Sequence, residues 1–286
     1  MRPTLLALAA ASVLLVPSGR PSSGRVTIID VFRGKMYDPS FGLVIGGWDG
    51  NNWVSDKAWH GRIRGSERYR FYGANGTAGE ASGGKALVSE ASGAAWNVKL
   101  QHAPAADGDC MGLTGAWNAM PRKSRDLNPD SAVFRAAVAE VLRAHGLTGV
   151  PVKVTRAIQV DLDGDGTDEA IICANHPRLM DARGGPAVEG TNGHEPLTQG
   201  RKADYSFVML RHQRGGRYVS EVLSGQFSPG RNDTPTISEI GTPLDLNGDG
   251  RMEIVIRWRY YEGGGVHVFE MKNGRARPVL EASDGA

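Results

Sequence analysis

Two short segments of this chain carry oxygen-bearing side chains at alternate positions: Asp161-Leu-Asp163-Gly-Asp165-Gly-Thr167-Asp-Glu169 and Asp245-Leu-Asn247-Gly-Asp249-Gly-Arg251-Met-Glu253. Counted from the first Asp of each, the acids and the one amide fall at positions 1, 3, 5 and 9. The residue at position 7, Thr167 or Arg251, can offer its backbone carbonyl. Five oxygens per loop can therefore converge, with no nitrogen or sulfur ligand among them. That is the chemistry of a hard cation, and calcium in particular takes about six to eight oxygen ligands from a loop able to turn around it. Gly164 and Gly248 keep position 4 free of bulk, and Gly166 and Gly250 occupy position 6, where a sharp bend calls for positive φ. Asp and Gly are also ordinary turn formers, so a solvated turn is the competing reading. A chance turn would not repeat the ligand spacing.

The same spacing excludes an EF-hand, which needs a bidentate Glu at position 12 between two helices. Position 12 here is Ile172 or Ile256, in β-type sequence. With the last acid at position 9, the loop suits a hairpin whose second strand begins at once. The surroundings repeat as well. Residues 158–172 align without gaps to 242–256, and Phe207 to Leu223, with its Gly215-Gly216 turn, corresponds to Val266 to Leu280, with its Asn273-Gly274 turn. Each unit reads strand, acidic loop, strand, strand, tight turn, strand. The first unit carries an insertion at about 175–203, and a loop of that length inside a compact domain is usually functional or disordered.

Both loops resemble the calcium loops of the FG-GAP/VCBS repeat family, the blades of integrin α-subunit-like propellers, in which Asp-x-Asp/Asn-x-Asp-Gly-x-x-Asp/Glu precedes an apolar strand. The resemblance covers about 150–286. It implies a β-blade fold, Ca2+ at the loops, and a role in adhesion or ligand binding at a cell surface.

The rest of the chain must support these loops. Residues 25–105 alternate short apolar runs with Gly-, Asn- and Ser-rich punctuation, the pattern of antiparallel β-structure. A connecting segment, 106–149, holds a helix expected over 129–145, with Asn128 as N-cap, Pro129 at the first helical position, and Val133, Phe134, Ala137, Val138, Val141 and Leu142 as one apolar stripe. That stripe should place the helix on the flank of a sheet. The fold class expected is mainly β, with antiparallel blade-like sheets, two calcium-binding hairpin loops and one flanking α-helix.

Residues 1–19, with Arg2 before an apolar run and then small residues, have the layout of a signal peptide, an uncleaved anchor being the competing reading. The mature chain is expected to be secreted or periplasmic, without membrane insertion after cleavage. A net charge of +2 gives no reason to expect a nucleic-acid partner. In an oxidising compartment Cys110 and Cys173 could form one disulfide or remain two buried thiols.

Other chemistry is thinner. Gly79 to Lys85 mimics a phosphate loop, but Ala86 replaces the hydroxyl that magnesium needs, and Ser82 with Lys85 lacks the partner motifs of a serine–lysine site. His176, His194 and Glu195 lie in or beside the insertion, where solvation is the ordinary fate of polar residues. Trp48, Trp53 and Trp59 could offer flat faces to a sugar, although core packing is their commoner use. The reading that results is an exported calcium-binding protein with a binding, adhesion or structural role and an unknown protein or glycan ligand. Its alternative is a secreted carbohydrate-active or other hydrolytic enzyme using the 175–203 insertion or the Trp48/Trp53/Trp59 region.

Overall fold

The structure, a computed structural model, describes residues 24–34, 37–90, 92, 94–181, 185–190, 195–228 and 230–285. The expected leader and His194 lie outside the described residues. The architecture is mainly β, with antiparallel sheets and few helices.

The N-terminal part comprises β1 (Val26–Val31), β2 (Phe41–Trp48), β3 (Trp53–Ser55), the short α1 (Asp56–Trp59), β4 (Arg68–Gly73), β5 (Gly76–Val88), β6 (Trp96–Leu100) and β7 (Cys110–Leu113). Its hydrogen-bonded order runs β1-β7-β4-β5-β6-β2, and β2 pairs with β1 again, all antiparallel. The ring closes into a six-stranded barrel, with β3 added along the far half of β2. Closure leaves no free edge among these six strands to recruit another chain. Strand β7, which follows the expected end of the N-terminal region at 105, is held between β1 and β4.

Ile29, Val31, Val44, Trp59, Tyr69, Phe71, Val98 and Cys110 share the barrel's core. So narrow a barrel needs strand positions without side chains. A Cβ on Gly112 would lie 2.6 Å from the Phe71 ring, and one on Gly83 would lie 2.5 Å from Val98. Every residue of β1 is buried, because alternate residues face the barrel core and the outer layer packed on it.

The C-terminal part holds two sheets. The first is β8 (Arg125–Asp126), β9 (Val154–Val160), β10 (Glu169–Asn175), β11 (Tyr205–Arg214) and β12 (Arg217–Phe227), in the order β12-β11-β10-β9-β8. The second is β13 (Ile237–Ile240), β14 (Ile254–Tyr260), β15 (Gly263–Lys272) and β16 (Arg275–Gly285), in the order β16-β15-β14-β13. The two repeats thus form the same four-stranded meander, each with its acidic loop between its first two strands. They differ before the loop. Strand β9 runs directly into its loop, whereas β13 stops at Ile240 and Leu244 keeps only a single bridge to Glu253. Between them Pro243 has no N–H to give a ladder.

The layers stack through three cores. Ile158, Ile171, Val208, Ile254, Ile256 and Met252 pack the two C-terminal sheets together. Val255, Val266, Val268 and Leu280 on the opposite face of the second sheet meet Ile28, Leu43, Ile45 and Met111 from the barrel. Crossing that interface, Asp30 accepts from Arg257 Nε at 2.8 Å and Nη2 at 2.5 Å, with both residues buried. The outer face of the first sheet is covered by α2 (Ala132–Ala144), through Ala137, Val138 and Leu142.

The helix therefore flanks a sheet as expected, but it starts later than Pro129. Asn128 Oδ1 accepts from Asp130 N–H and its carbonyl accepts from Ser131 N–H, so Asn128 and Pro129 make a turn and Ser131 is the N-cap residue. Val133 drops out of the apolar stripe at 58% exposure, because the helix packs along Ala137 and Leu142 instead. Both cysteines are free and buried, Cys110 in the barrel and Cys173 in the first C-terminal sheet, and burial pushes each thiol up to about 12.

Candidate metal centres

The two acidic loops adopt one hydrogen-bonded skeleton. In the first, Asp161 accepts from the N–H groups of Gly164 at 2.7 Å and Gly166 at 3.1 Å. In the second, Asp245 accepts from Gly248 at 2.7 Å and Gly250 at 3.0 Å. Position 3 then takes the N–H of position 5, Asp163 from Asp165 and Asn247 from Asp249. Position 5 takes that of position 7, Asp165 from Thr167 and Asp249 from Arg251. Position 9 reaches back, Glu169 Oε2 accepting from Leu162 at 2.9 Å and Glu253 Oε2 from Leu246 at 2.7 Å.

The sequence dictates this locally. The bends at Gly164, Gly166, Gly248 and Gly250 have φ of +80°, +88°, +80° and +85°, a region costly for any residue with a Cβ. Leu162 and Leu246, both fully buried, pin position 2 into the adjoining cores. Each loop is thus anchored by one apolar side chain and wrapped around its first Asp.

One carboxylate oxygen from each of Asp161, Asp163 and Glu169 lies within 4.8 Å of the other two. Asp165 falls outside that cluster, and Thr167 and Arg251 meet the acids through their N–H groups. In the second loop Asn247 replaces one acid, and its Nδ2 donates to Asp249 Oδ2 at 3.4 Å. Among the described residues no Lys or Arg pairs with the seven carboxylates at positions 1, 3, 5 and 9, whereas Asp168 at position 8 points away and pairs with Arg125 at 2.9 Å.

The electrostatic result is that carboxyls in both loops are held above their usual range. Burial, followed by the charges of Asp163, Asp165 and Asp161, pushes Glu169 up to about 7 against the Leu162 N–H bond that favours its anion. Burial likewise raises Asp245 to about 6 and Glu253 well above the usual carboxylate range. Buried like charges without a counter-ion are costly, and a divalent cation among them reverses the sign of that cost. The donor set is all oxygen, which suits Ca2+ or Mg2+ and not the nitrogen and sulfur sites of zinc.

Arg122 was not among the expected site residues, yet it joins the loops. Its Nε donates to the Asp161 carbonyl, and its Nη2 donates to the carbonyls of Leu162 at 3.0 Å and Gly250 at 2.9 Å. Met252 N–H adds a direct link to the Leu162 carbonyl at 2.7 Å. Trp117 Nε1 donates to the Asp245 carbonyl at 2.8 Å, and Asp245 N–H donates to Ala119 at 2.8 Å. Residues 117–122 therefore fasten both loops. No spacing signal marks that segment, so only its contacts disclose the role.

The other candidates lie elsewhere. Trp59 is in the barrel core with Nε1 donating to Thr27, and Trp48 and Trp53 pack edge to face against the interlayer core, Trp53 donating to Glu270. Trp59 thus packs inside the barrel, while Trp48 and Trp53, half-buried, lie where the barrel and the second sheet meet. In the insertion, Leu179 and Val188 are buried with Ile237, His176 Nδ1 lies 3.5 Å from Asp204, and Arg178 pairs with the same acid. Glu195 is exposed. The segment resembling a phosphate loop is part of β5. Compared with known proteins, the chain matches no family model, no curated protein and no solved structure.

Proposed function

We propose that this chain is an exported β protein that holds one Ca2+ in each acidic loop and serves a binding or structural role, as the FG-GAP/VCBS-like loops imply. The observation that carries the reading is the shared skeleton. Two nine-residue loops wrap around their first Asp through the same hydrogen bonds, and among the described residues no Lys or Arg pairs with the seven carboxylates at positions 1, 3, 5 and 9. Asp161, Asp163, Asp165, Glu169 and the Thr167 carbonyl would hold the first ion. Asp245, Asn247, Asp249, Glu253 and the Arg251 carbonyl would hold the second. The ion supplies positive charge and multidentate cross-linking; the chain supplies bent loops already held open by Gly164, Gly166, Gly248 and Gly250. Because Arg122 and Met252 tie the loops to each other, ordering one loop helps to order its neighbour and both C-terminal sheets.

Extracellular calcium modules have dissociation constants of about 0.1–1 mM, so at millimolar calcium each site contributes on the order of 1 kcal/mol. For a chain of this size, losing two sites lowers Tm by about 4–8 °C. Thermal melting with calcium and then with excess chelator, together with elemental analysis of dialysed protein, tests this. An unchanged Tm with no metal found removes the assignment.

A further inference from the structure

A cavity of about 620 Å3 opens beside β16; Ala95 and Ala282 of the interlayer core form its floor, and the rest of its wall is built from side chains outside that core. Strand β14 contributes Trp258 and Tyr260, β15 contributes His267, β16 contributes Glu281 and Asp284, and α1 contributes Asp56. A volume of this order suits a small ligand.

The two large rings have a purpose-built seat. Their centroids are 6.1 Å apart and their planes 26° from parallel, close to the spacing of residues i and i+2 on one strand face. They are near-parallel neighbours on one face of β14. A Cβ on Gly265 would come within 2.6 Å of the Trp258 ring, and one on Gly285 within 2.5 Å of the Tyr260 hydroxyl. A Cβ on Gly263 would stand 3.0 Å from Tyr260 Cε1. Glycine at these three places lets both rings lie low across β15 and the end of β16. Among the described residues Trp258 Nε1 is sealed from solvent without a partner, so what this side chain presents to the cavity is carbon.

Polar groups of both kinds surround this apolar platform, with Lys57 and Ser92 as donors beside the carboxylates. Asp284 is fixed by Ser89 Oγ, which donates to both carboxylate oxygens at 2.7 Å and 2.8 Å, and by Asn97 Nδ2 at 3.0 Å. His267 Nδ1 is within 3.1 Å of Ser224 Oγ, which holds the imidazole in place. Glu281 is exposed beside them. An apolar surface rimmed by carboxylates, of which Asp284 is held in place, and by Lys57 matches a pyranose ring, whose C–H face stacks on aromatic carbon while its hydroxyls donate to the acids and accept from the ammonium. An organic cation would favour rings set around it as a cage, whereas these two rings are near-parallel.

We infer that the cavity walled by Trp258, Tyr260, Glu281 and Asp284 is a carbohydrate-binding site for a neutral pyranoside. The inference rests on the binding role proposed above and gives it a ligand class. Its test is separable from that of calcium. Methyl glycosides of glucose, galactose, mannose and N-acetylglucosamine, with the corresponding trisaccharides, would be titrated into the full chain by calorimetry and by saturation-transfer NMR. Tetramethylammonium would be titrated in parallel. Binding by at least one sugar is expected, weakened about tenfold or more by Trp258→Phe and by Glu281→Gln. Glu281 is exposed, so E281Q keeps the fold, and the chelator-induced change in Tm should match wild type in both variants. Absence of sugar binding at millimolar concentration overturns the site even when the calcium response is intact. Sugar binding unchanged in both variants, or tetramethylammonium binding in place of sugars, overturns it equally.

Discussion

Replacing Arg122 by alanine removes three hydrogen bonds from a charged donor, to the carbonyls of Asp161, Leu162 and Gly250, and with them the side-chain link between the acidic loops. A hydrogen bond to a charged group contributes about 1.5–3 kcal/mol when shielded. Arg122 is half-buried and water can replace part of what is lost, so about 1 kcal/mol per bond, about 3 kcal/mol in all, is the working figure. At about 2–4 °C per kcal/mol for a chain of this size, R122A should melt about 6–12 °C below wild type. Arg122→Lys keeps the charge, but a single ammonium cannot reach all three carbonyls, so it should recover about a third of the loss at most. Differential scanning calorimetry in calcium buffer measures both, with Arg135→Ala on the exposed face of α2 as the control. An R122A midpoint within about 2 °C of wild type would refute the stapling argument, and full recovery by R122K would show that charge alone matters.

Gly250→Ala meets no atom within 4 Å of its new Cβ, so its cost is the backbone penalty at φ +85°, about 1–2 kcal/mol by urea denaturation, with Gly250→Asn milder. Asp30→Ala leaves the buried Arg257 guanidinium with only Asp109, 3.8 Å from its Nε, and should destabilise by about 3 kcal/mol, read from the same denaturation curves; a loss below about 1 kcal/mol would mean that Asp109 or water compensates Arg257. Thiol titration should find no reactive cysteine in the native chain and both Cys110 and Cys173 after unfolding, since each is buried and free; a negative result on unfolded, unreduced protein would instead reveal a disulfide.

What the sequence determined by itself is what nine consecutive residues can enforce. Alternate oxygens from Asp161 to Glu169 and from Asp245 to Glu253, with glycines at positions 4 and 6, dictate the wrapped loop, because each hydrogen bond in it spans only a few residues. The hairpins and the duplicated meander were legible for the same reason, as was the helix that covers a sheet. Its start was not, because the Asx turn at Asn128 competes locally with helix initiation. Tertiary structure decided the rest. Closure of the barrel depends on β1 pairing with both β2 and β7, strands far apart in sequence, and no local pattern encodes that return. The same closure turned Trp59 inward, while docking of the second sheet covered Trp48 and Trp53. Trp258 and Tyr260 came to line a cavity because Gly263, Gly265 and Gly285 make room across a strand pair. Arg122 joined two loops that begin 84 residues apart (245 − 161), a contact whose energy exists only after both sheets have packed.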